Sequence, residues 1–279
     1  MRKYSILFML CVLMAPVFFS CTQKTIKTKE KVFTKRCYLS EDTTKGSLNV
    51  EIQAEIPVAF ADKSVLDSIR ATIISNLFGE NYISKSTDSI IPLFMADIST
   101  DYIENNKPLI NQLDSSSAYT FNNEHILSGF SLLSDKYIYA YGIERYIYMG
   151  GAHGLETRNY FNFNLKTGKL ITEKDLFVEN FASDLAKLIK IRIVEESIGK
   201  TEKEPILDLE ETVYWTDSIK PNGNFYITDE SINYVFNPYQ IAPYSLGETE
   251  VTLPFSLLKN ILKPNSIISY LVKKQAEKK

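Results

Sequence analysis

Histidine, tryptophan and cysteine are scarce in this chain of 279 residues, which has two histidines, one tryptophan and three cysteines. Hydrolytic zinc sites usually take three ligands from His, Cys, Asp and Glu, and no HExxH-like spacing is present. A Gly-x-Ser-x-Gly elbow is also missing. The 34 acidic residues make carboxylate pairs so common that they do not indicate a glycosidase. The expected protein therefore has no cofactor, no bound metal and no assigned catalytic residue.

Two enzymatic alternatives stay open despite this scarcity. The histidines His125 and His153 could share a metal with a nearby carboxylate, for which the candidates are Glu124, Glu144 and Glu156. His153 could instead act as a general base toward a serine such as Ser128 or Ser245. Either reading would make the protein a hydrolytic enzyme rather than a binding protein.

An excess of basic residues is also lacking, because 31 Lys and Arg stand against 34 Asp and Glu and leave a net charge of -3. Nucleic-acid binding and electrostatic attraction to an anionic membrane both depend on a basic surface. The composition therefore argues against nucleic acid as a partner, and any membrane attachment would need something other than electrostatic attraction.

A membrane anchor is predicted at the N-terminus, where residues 1–20 have the organisation of a signal peptide. Arg2 and Lys3 precede an apolar run that is too short for a convincing membrane span. The following Phe18-Phe19-Ser20-Cys21 resembles a bacterial lipobox, in which the cysteine is diacylated before cleavage. We expect Cys21 to become a lipidated N-terminal residue; the alternatives are an ordinary secretory signal or a retained anchor.

Lipidation at Cys21 has consequences for charge and for disulfides. Cleavage removes Arg2 and Lys3, which would leave the mature chain at a net charge of -5. Cys11 is lost with the signal, so Cys37 is left as a single thiol without an intramolecular disulfide partner. The mature domain must then be stabilised by its hydrophobic core.

The remaining chain alternates between strand and helix patterns, which predicts an α+β fold of antiparallel sheet with helices packed on it. Residues 21–36 are rich in Lys and Thr and predict a flexible tether, with structure starting near Cys37. Leu48–Ile56 alternates as a half-buried strand, and helices are predicted after Asp62 and around Pro92. Further predicted elements are a hairpin over 126–148, strands near 160–165, 225–236 and 251–253, a helix over 180–197 and a closing helix over 255–262.

The most distinctive stretch joins two of these strands. Tyr146–Gly154 passes from an aromatic run into three glycines and His153, and a strand pattern resumes at Asn159. Gly150 and Gly151 therefore predict a tight connection within one sheet, at φ values or close approaches that a Cβ would block. His153 would either be held by backbone hydrogen bonds near the Ala242-Pro243-Tyr244 segment or contact a ligand.

Three aromatic residues join these as candidates for a binding surface. Tyr239 and Tyr244 lie in a segment rich in proline and tyrosine, and Trp215 lies in a long polar loop. For Trp215 the alternative is a local packing anchor for its own loop. The candidate ligand-binding residues are thus His153, Gly150, Gly151, Tyr239, Tyr244 and Trp215.

Several ordered motifs resemble a known family. They are Gly150-Gly151-Ala152-His153, the segment 160–177, and the segment 225–258 with Asn237-Pro238-Tyr239 and Ala242-Pro243-Tyr244. Together they are similar to the extracytoplasmic domain of the anti-sigma-V factor, which also resembles the non-catalytic N-terminal region of certain peptidoglycan deacetylases and occurs in many bacterial lipoproteins. The similarity is good over about 130–262, whereas residues 37–123 share only a strand-then-helix layout with the usual upstream subdomain.

The resemblance implies an α+β extracytoplasmic module, which in the anti-sigma-V factor binds lysozyme. The transmembrane helix and sigma-binding segment of that factor, and the zinc-dependent domain of the deacetylase, are expected to be missing here. The predicted organisation is a signal over 1–20, a tether over 21–36, subdomains over 37–123 and 124–265, and a charged tail over 266–279.

From these observations we expect a lipid-anchored cell-envelope protein that binds a lysozyme-like enzyme or peptidoglycan without catalysis. Thr22 after the lipidated cysteine carries no acidic retention signal, which favours the outer membrane, facing the periplasm or the cell surface. The alternatives are a peptidoglycan-modifying hydrolase or deacetylase, and a structural envelope protein.

Overall fold

The protein is built on two β-sheets, in a computed structural model that describes residues 25–110, 112, 120–198 and 209–277. The larger sheet has five strands in the order β1-β2-β3-β4-β5, and only β2 and β3 run parallel. The smaller sheet has three antiparallel strands in the order β6-β7-β8. Their bounds are β1 Lys27–Tyr38, β2 Ser47–Ala59, β3 Asn123–Ser134, β4 Ile138–Met149, β5 Leu155–Asn164, β6 Phe225–Ile227, β7 Ser231–Phe236 and β8 Thr249–Pro254.

Six α-helices complete the described fold, and the predicted α+β class is confirmed. They are α1 Lys63–Leu77, α2 Ile90–Asn106, α3 Glu173–Leu176, α4 Ala182–Ile198, α5 Phe255–Leu258 and α6 Ser269–Glu277. Asp62 caps α1 as the sequence indicates, because its carboxylate accepts hydrogen bonds from the backbone N–H groups of Ser64 and Val65. None of the helices among the described residues is long and apolar enough to cross a membrane.

One hydrophobic core lies between the five-stranded sheet and helices α1 and α2. The predicted alternation in β2 is confirmed, since Val50, Ile52 and Ile56 are each 1% exposed. Helix α1 contributes Ile69 and Ile73, which are fully buried in the same cluster. Burial of each such side chain stabilises the fold by about 1.5–3 kcal/mol relative to exposure. Helices thus cover only one face of this part of the sheet.

A second core packs helices α4, α5 and α6 against the three-stranded sheet. Leu185 and Ile189 of α4 are fully buried there with Leu253 of β8. Arg192 of α4 also donates from Nε to the carbonyl of Thr252 at 3.0 Å. The small sheet is therefore held from one side by helices, and its strand β6 also contacts β5 and β4.

Asparagine side chains join the two sheets along the outer edge of β5. Asn237 Oδ1 accepts from the backbone N–H of Arg158 at 2.7 Å, and Asn224 Oδ1 accepts from that of Tyr160 at 2.9 Å. Asn162 of β5 reaches the opposite way and accepts from the N–H of Ile227 at 2.9 Å. Buried backbone groups need hydrogen-bond partners. The asparagine amides supply hydrogen bonds of the kind that a neighbouring strand would provide.

Two predicted segment assignments are wrong. Residues 27–36 do not form a tether, because β1 begins at Lys27 and pairs with β2 along its length. As an edge strand it is stabilised by backbone hydrogen bonds and sends only partly buried side chains such as Phe33 and Cys37 toward the core. The predicted charged tail over 266–279 contains α6, whose Leu271 is 2% exposed.

The predicted division between residues 123 and 124 does not separate two sheets. It falls at the start of β3, which pairs with β2 from Leu48↔Asn123 to Ala54↔Gly129. The two hydrophobic clusters instead divide the chain near Leu165 and Ile171, apart from Ile138 of β4, which joins the second cluster. The predicted signal over 1–20 and the lipidation site Cys21 lie outside the described residues.

Candidate functional site

The glycine-rich stretch is a tight turn between β4 and β5, as predicted. These strands pair antiparallel up to Ile147↔Leu155, and the turn has φ of 83° at Gly150 and 99° at Gly151. A Cβ on Gly150 would lie 2.3 Å from the carbonyl oxygen of Thr120, and one on Gly154 would lie 2.4 Å from the ring of Tyr146. The glycines therefore allow both a left-handed backbone and close contact with neighbouring residues.

His153 stands at the end of this turn and stacks on Tyr244. The two ring centroids are 3.9 Å apart with an angle of 17° between the planes, and Tyr239 follows at 5.5 Å from Tyr244. We call His153, Tyr244 and Tyr239 the aromatic stack. The sequence predicted that His153 would lie near the Ala242-Pro243-Tyr244 segment, and the contact is ring stacking in addition to hydrogen bonding.

A single backbone carbonyl fixes two members of the stack. Tyr244 Oη donates to the Gly154 oxygen at 2.7 Å, and His153 Nδ1 lies 2.9 Å from the same oxygen. Because a carbonyl can only accept, Nδ1 carries a proton, and in the neutral imidazole Nε2 is left as an acceptor. The histidine thus offers a ligand a ring face and a defined acceptor nitrogen.

Tyr239 is held outward by an ordered segment, Asn237–Gly247, which we call the tyrosine loop. The N–H of Gln240 donates to the Asn237 carbonyl at 3.0 Å, and the N–H of Asn237 donates to Gln240 Oε1 at 2.9 Å. Tyr239 has φ of 69°, which is uncommon for a residue with a side chain, and is 51% exposed. Such left-handed residues cluster at binding sites, where the surrounding structure maintains them.

Trp215 lies beside the same loop. Its backbone N–H donates to the Ile241 carbonyl at 2.7 Å, while its side chain is 44% exposed. The backbone is therefore anchored to the tyrosine loop and the indole is available at the surface. The structure thus gathers all six predicted ligand-binding residues around the β4–β5 turn and the tyrosine loop, although their role in binding stays a prediction.

A cluster of charges next to the turn was not predicted as a unit. Arg158 forms ion pairs with Glu144 at 3.2 Å, Glu156 at 3.0 Å and Glu248 at 2.7 Å. Burial raises the pKa of Glu248 to about 7; nearby carboxylates add to this and Arg158 opposes it. The alternation of Glu156 and Arg158 in β5 could have revealed their common face, whereas Glu248 approaches only through the folding of the tyrosine loop.

The two histidines of the enzymatic alternatives lie in different surroundings. His125 lines a separate cleft with Tyr102, Asn105 and Met149, and burial and Arg145 lower its pKa. Among the described residues, no group of three or more His, Cys, Asp or Glu side chains is placed to hold a metal ion. The surface around His153 combines aromatic rings, a hydrogen-bond acceptor and carboxylates that pair with Arg158.

Comparison with known proteins places part of the chain in a described group. Residues 174–256 match the model of DUF3298, a protein family of unknown function, and this range includes Trp215 and the tyrosine loop. The peptidoglycan-N-acetylmuramic acid deacetylase PdaC of Bacillus subtilis is 32% identical over 123 residues, covering 44% of this chain and 26% of that protein. The anti-sigma-V factor RsiV of the same organism is 28% identical over 129 residues, covering 43% of this chain and 42% of that protein. The chain thus spans less than half the length of either relative.

Solved structures show the same fold. A DUF3298 family member from Bacteroides fragilis superposes with a TM-score of 0.80 at 23% identity, covering 90% of this chain and 98% of that one. A DUF3298 family protein from Pseudomonas aeruginosa PAO1 superposes with a TM-score of 0.56 at 14% identity, covering 85% of this chain and 95% of that one. The resemblance predicted from the sequence is confirmed: residues 174–256 of this chain match the DUF3298 family, and the chain is similar to the anti-sigma-V factor RsiV and to the deacetylase PdaC.

Proposed function

We propose that this protein is a cell-envelope lipoprotein whose α+β domain binds a cell-wall partner, either a lysozyme-like enzyme or peptidoglycan, without catalysing a reaction. Similarity to an anti-sigma-V factor and to a peptidoglycan deacetylase supports a role at the wall. The matched part of the chain contains the tyrosine loop, which supplies two members of the aromatic stack. Binding is therefore proposed to be the shared property, and the partner is to be found among wall components and wall-degrading enzymes.

The observation that carries this proposal is the aromatic stack. Three rings from two distant segments are fixed against one another, and Tyr239 is held outward by its left-handed backbone. Tyrosine gives a large contact area at low entropic cost, and its ring can pack on the apolar face of a sugar or into a protein partner. The ordered loop lowers the cost of binding because little conformational freedom remains to be lost.

Substitution of the aromatic stack is the direct test. We expect His153→Ala and Tyr239→Ala each to weaken binding of lysozyme or of purified muropeptides by about tenfold or more, since central aromatic contacts usually contribute more than 1 kcal/mol. Isothermal titration calorimetry would measure this, with circular dichroism to confirm folding. Tyr38→Ala is the matched control, because Tyr38 is also exposed, at 44%, but lies at the end of β1. Unchanged affinity in both folded variants would contradict a ligand-binding role for the stack.

Membrane attachment is proposed to depend on Cys21 alone, with the outer membrane as the expected location. Diacylation gives stable anchoring because two acyl chains bury enough CH₂ groups, at about 0.8 kcal/mol each. Cys21→Ser should therefore release the protein from the detergent phase in detergent partitioning and abolish labelling by a palmitate analogue. Labelling that persists in this variant would show that the lipidation site is wrong.

A further inference from the structure

The five-stranded sheet has a second face that α1 and α2 do not cover, and at one end of it Ile138 of β4 packs into the second core. Residues directly paired on neighbouring strands share a face, so the register places Asn49, Glu124 and Tyr148 together, opposite the side that packs on α1 and α2. We call this side the open face. Its strands contribute six carboxylates, all exposed or partly exposed: Glu30, Glu51, Glu55, Glu124, Glu144 and Glu156.

Four of these carboxylates are ordered by neutral donors, which hold them without cancelling their charge. Asn49 Nδ2 donates to Glu51 at 3.3 Å and to Glu124 at 3.2 Å, and Gln53 Nε2 donates to Glu30 at 2.8 Å. A hydroxyl does the same for Glu55, which accepts from Ser131 at 2.6 Å. The side chains are therefore fixed in position while their negative charge remains available.

Positive charge on the open face is limited. The register places two arginines on it, Arg36 paired with Asn49 and Arg158 paired with Glu144. Six carboxylates against two guanidinium groups leave four negative charges on this face, which exceeds the net charge of -3 of the whole chain. Like charges on adjacent strands destabilise a sheet, so a face of one sign lowers stability unless a partner of opposite charge covers it.

Apolar groups lie among the charges. Val32 of β1 is 69% exposed at the outer side of the face. At its other side, Ile126 and Tyr146 line a cleft of about 330 Å³ together with Glu144 and Glu156. Apolar contact surface within a rim of charges is the usual composition of a protein interface, in which the charges steer and orient the partner.

The open face is continuous with the aromatic stack. The ring of Tyr146 packs directly on Gly154, so that a Cβ there would lie 2.4 Å from it. The carbonyl of Gly154 is in turn the acceptor for Tyr244 Oη. One surface therefore extends from the acidic strands through Tyr146 to the aromatic stack.

We propose that the open face docks a cationic protein, with the aromatic stack contacting that protein at one edge. This inference rests on the proposed function and chooses between its two partner classes. Charge complementarity favours a basic protein over a glycan, because sugar rings need few carboxylates whereas a field of four negative charges steers and orients a cation-rich surface.

The test compares two triple variants that change the charge equally. Glu30→Gln/Glu51→Gln/Glu124→Gln removes three charges from the open face and keeps acceptor oxygens for Asn49 and Gln53. Glu80→Gln/Glu104→Gln/Glu179→Gln removes three charges from exposed carboxylates outside it. Lysozyme, a basic protein, and muropeptides are the probes, with affinity and association rate measured by surface plasmon resonance at about 20 mM and about 300 mM NaCl, which change the screening length several-fold.

For the open-face variant we expect at least about a tenfold loss of lysozyme affinity at low salt, mostly as slower association, and a smaller loss at high salt. The control variant should bind as the unmodified protein does. Equal lysozyme binding by both triple variants would overturn the inference and leave the proposed function standing, as would binding of muropeptides without lysozyme. Failure of the unmodified, folded protein to bind either probe would overturn the proposed function itself.

Discussion

Replacement of Gly150 by alanine is expected to lower the free energy of unfolding by about 3 kcal/mol or more, whereas the same change at Gly151 should lower it by about 1 kcal/mol. Both glycines have positive φ, so alanine is strained at either position. Only at Gly150 does the new methyl group also meet backbone, 2.3 Å from the Thr120 oxygen. Backbone atoms cannot move aside as a flexible side chain can, so the turn itself would have to shift.

Gly151→Ala is therefore a matched control, because a Cβ there meets no atom within 4 Å among the described residues. Urea denaturation followed by circular dichroism would give both free energies, with the slope checked for two-state behaviour. The Gly150 variant should also bind its partner more weakly, since movement of the turn would displace His153 from Tyr244. Equal stability of the two variants would show that the contact with Thr120 imposes no steric constraint.

This turn also shows what could be predicted from the sequence. Gly150, Gly151 and His153 were recognisable because glycines between two alternating strand patterns have a local physical meaning. The strand β2 and the helix α1 were likewise predictable, since their apolar periodicity reports directly on one buried face. Local patterns thus located the elements and the centre of the candidate site.

Features that depend on distant pairing could not be predicted in this way. Strand β1 has little apolar periodicity because it is an edge strand held by its backbone, so its lysines and threonines suggested a tether. The parallel pairing of β2 with β3 connects residues about 75 positions apart and leaves no local signal. Arg158 and Glu248 are separated by 90 residues, and only folding brings their side chains together. The charge cluster and the open face therefore emerge only in three dimensions.

The asparagines at the junction illustrate how the site depends on such contacts. His153 connects β4 and β5 of the larger sheet, whereas Tyr239 and Tyr244 lie between β7 and β8 of the smaller one, so the aromatic stack forms only if the sheets keep their relative position. Asn237, the residue that opens the tyrosine loop, both accepts from the Arg158 N–H and donates to the Arg158 carbonyl, at 2.7 and 3.0 Å. These two hydrogen bonds therefore fix the position of the start of the tyrosine loop relative to β5.

Asn162 should be the most sensitive of these amides. It is 3% exposed, donates from Nδ2 to the Phe225 carbonyl at 2.7 Å, and accepts from the Ile227 N–H at 2.9 Å. Asn162→Leu keeps a similar volume but leaves two buried backbone groups without these partners. Each unsatisfied group costs about 1–3 kcal/mol, so we expect a loss of about 3 kcal/mol in the free energy of unfolding.

Hydrogen exchange can separate this mechanism from a general packing defect. The amide of Ile227 should lose protection selectively in Asn162→Leu, because that N–H donates to the missing oxygen. Asn159→Leu is the control on the same strand; Asn159 is exposed, so its replacement should change stability by no more than about 0.5 kcal/mol. An Asn162 variant with an unchanged urea midpoint and a protected Ile227 amide would refute the role of this side chain. If loss of this contact also moves the two sheets apart, the variant should lose partner affinity, because Tyr244 would be carried away from His153 while both residues remain intact.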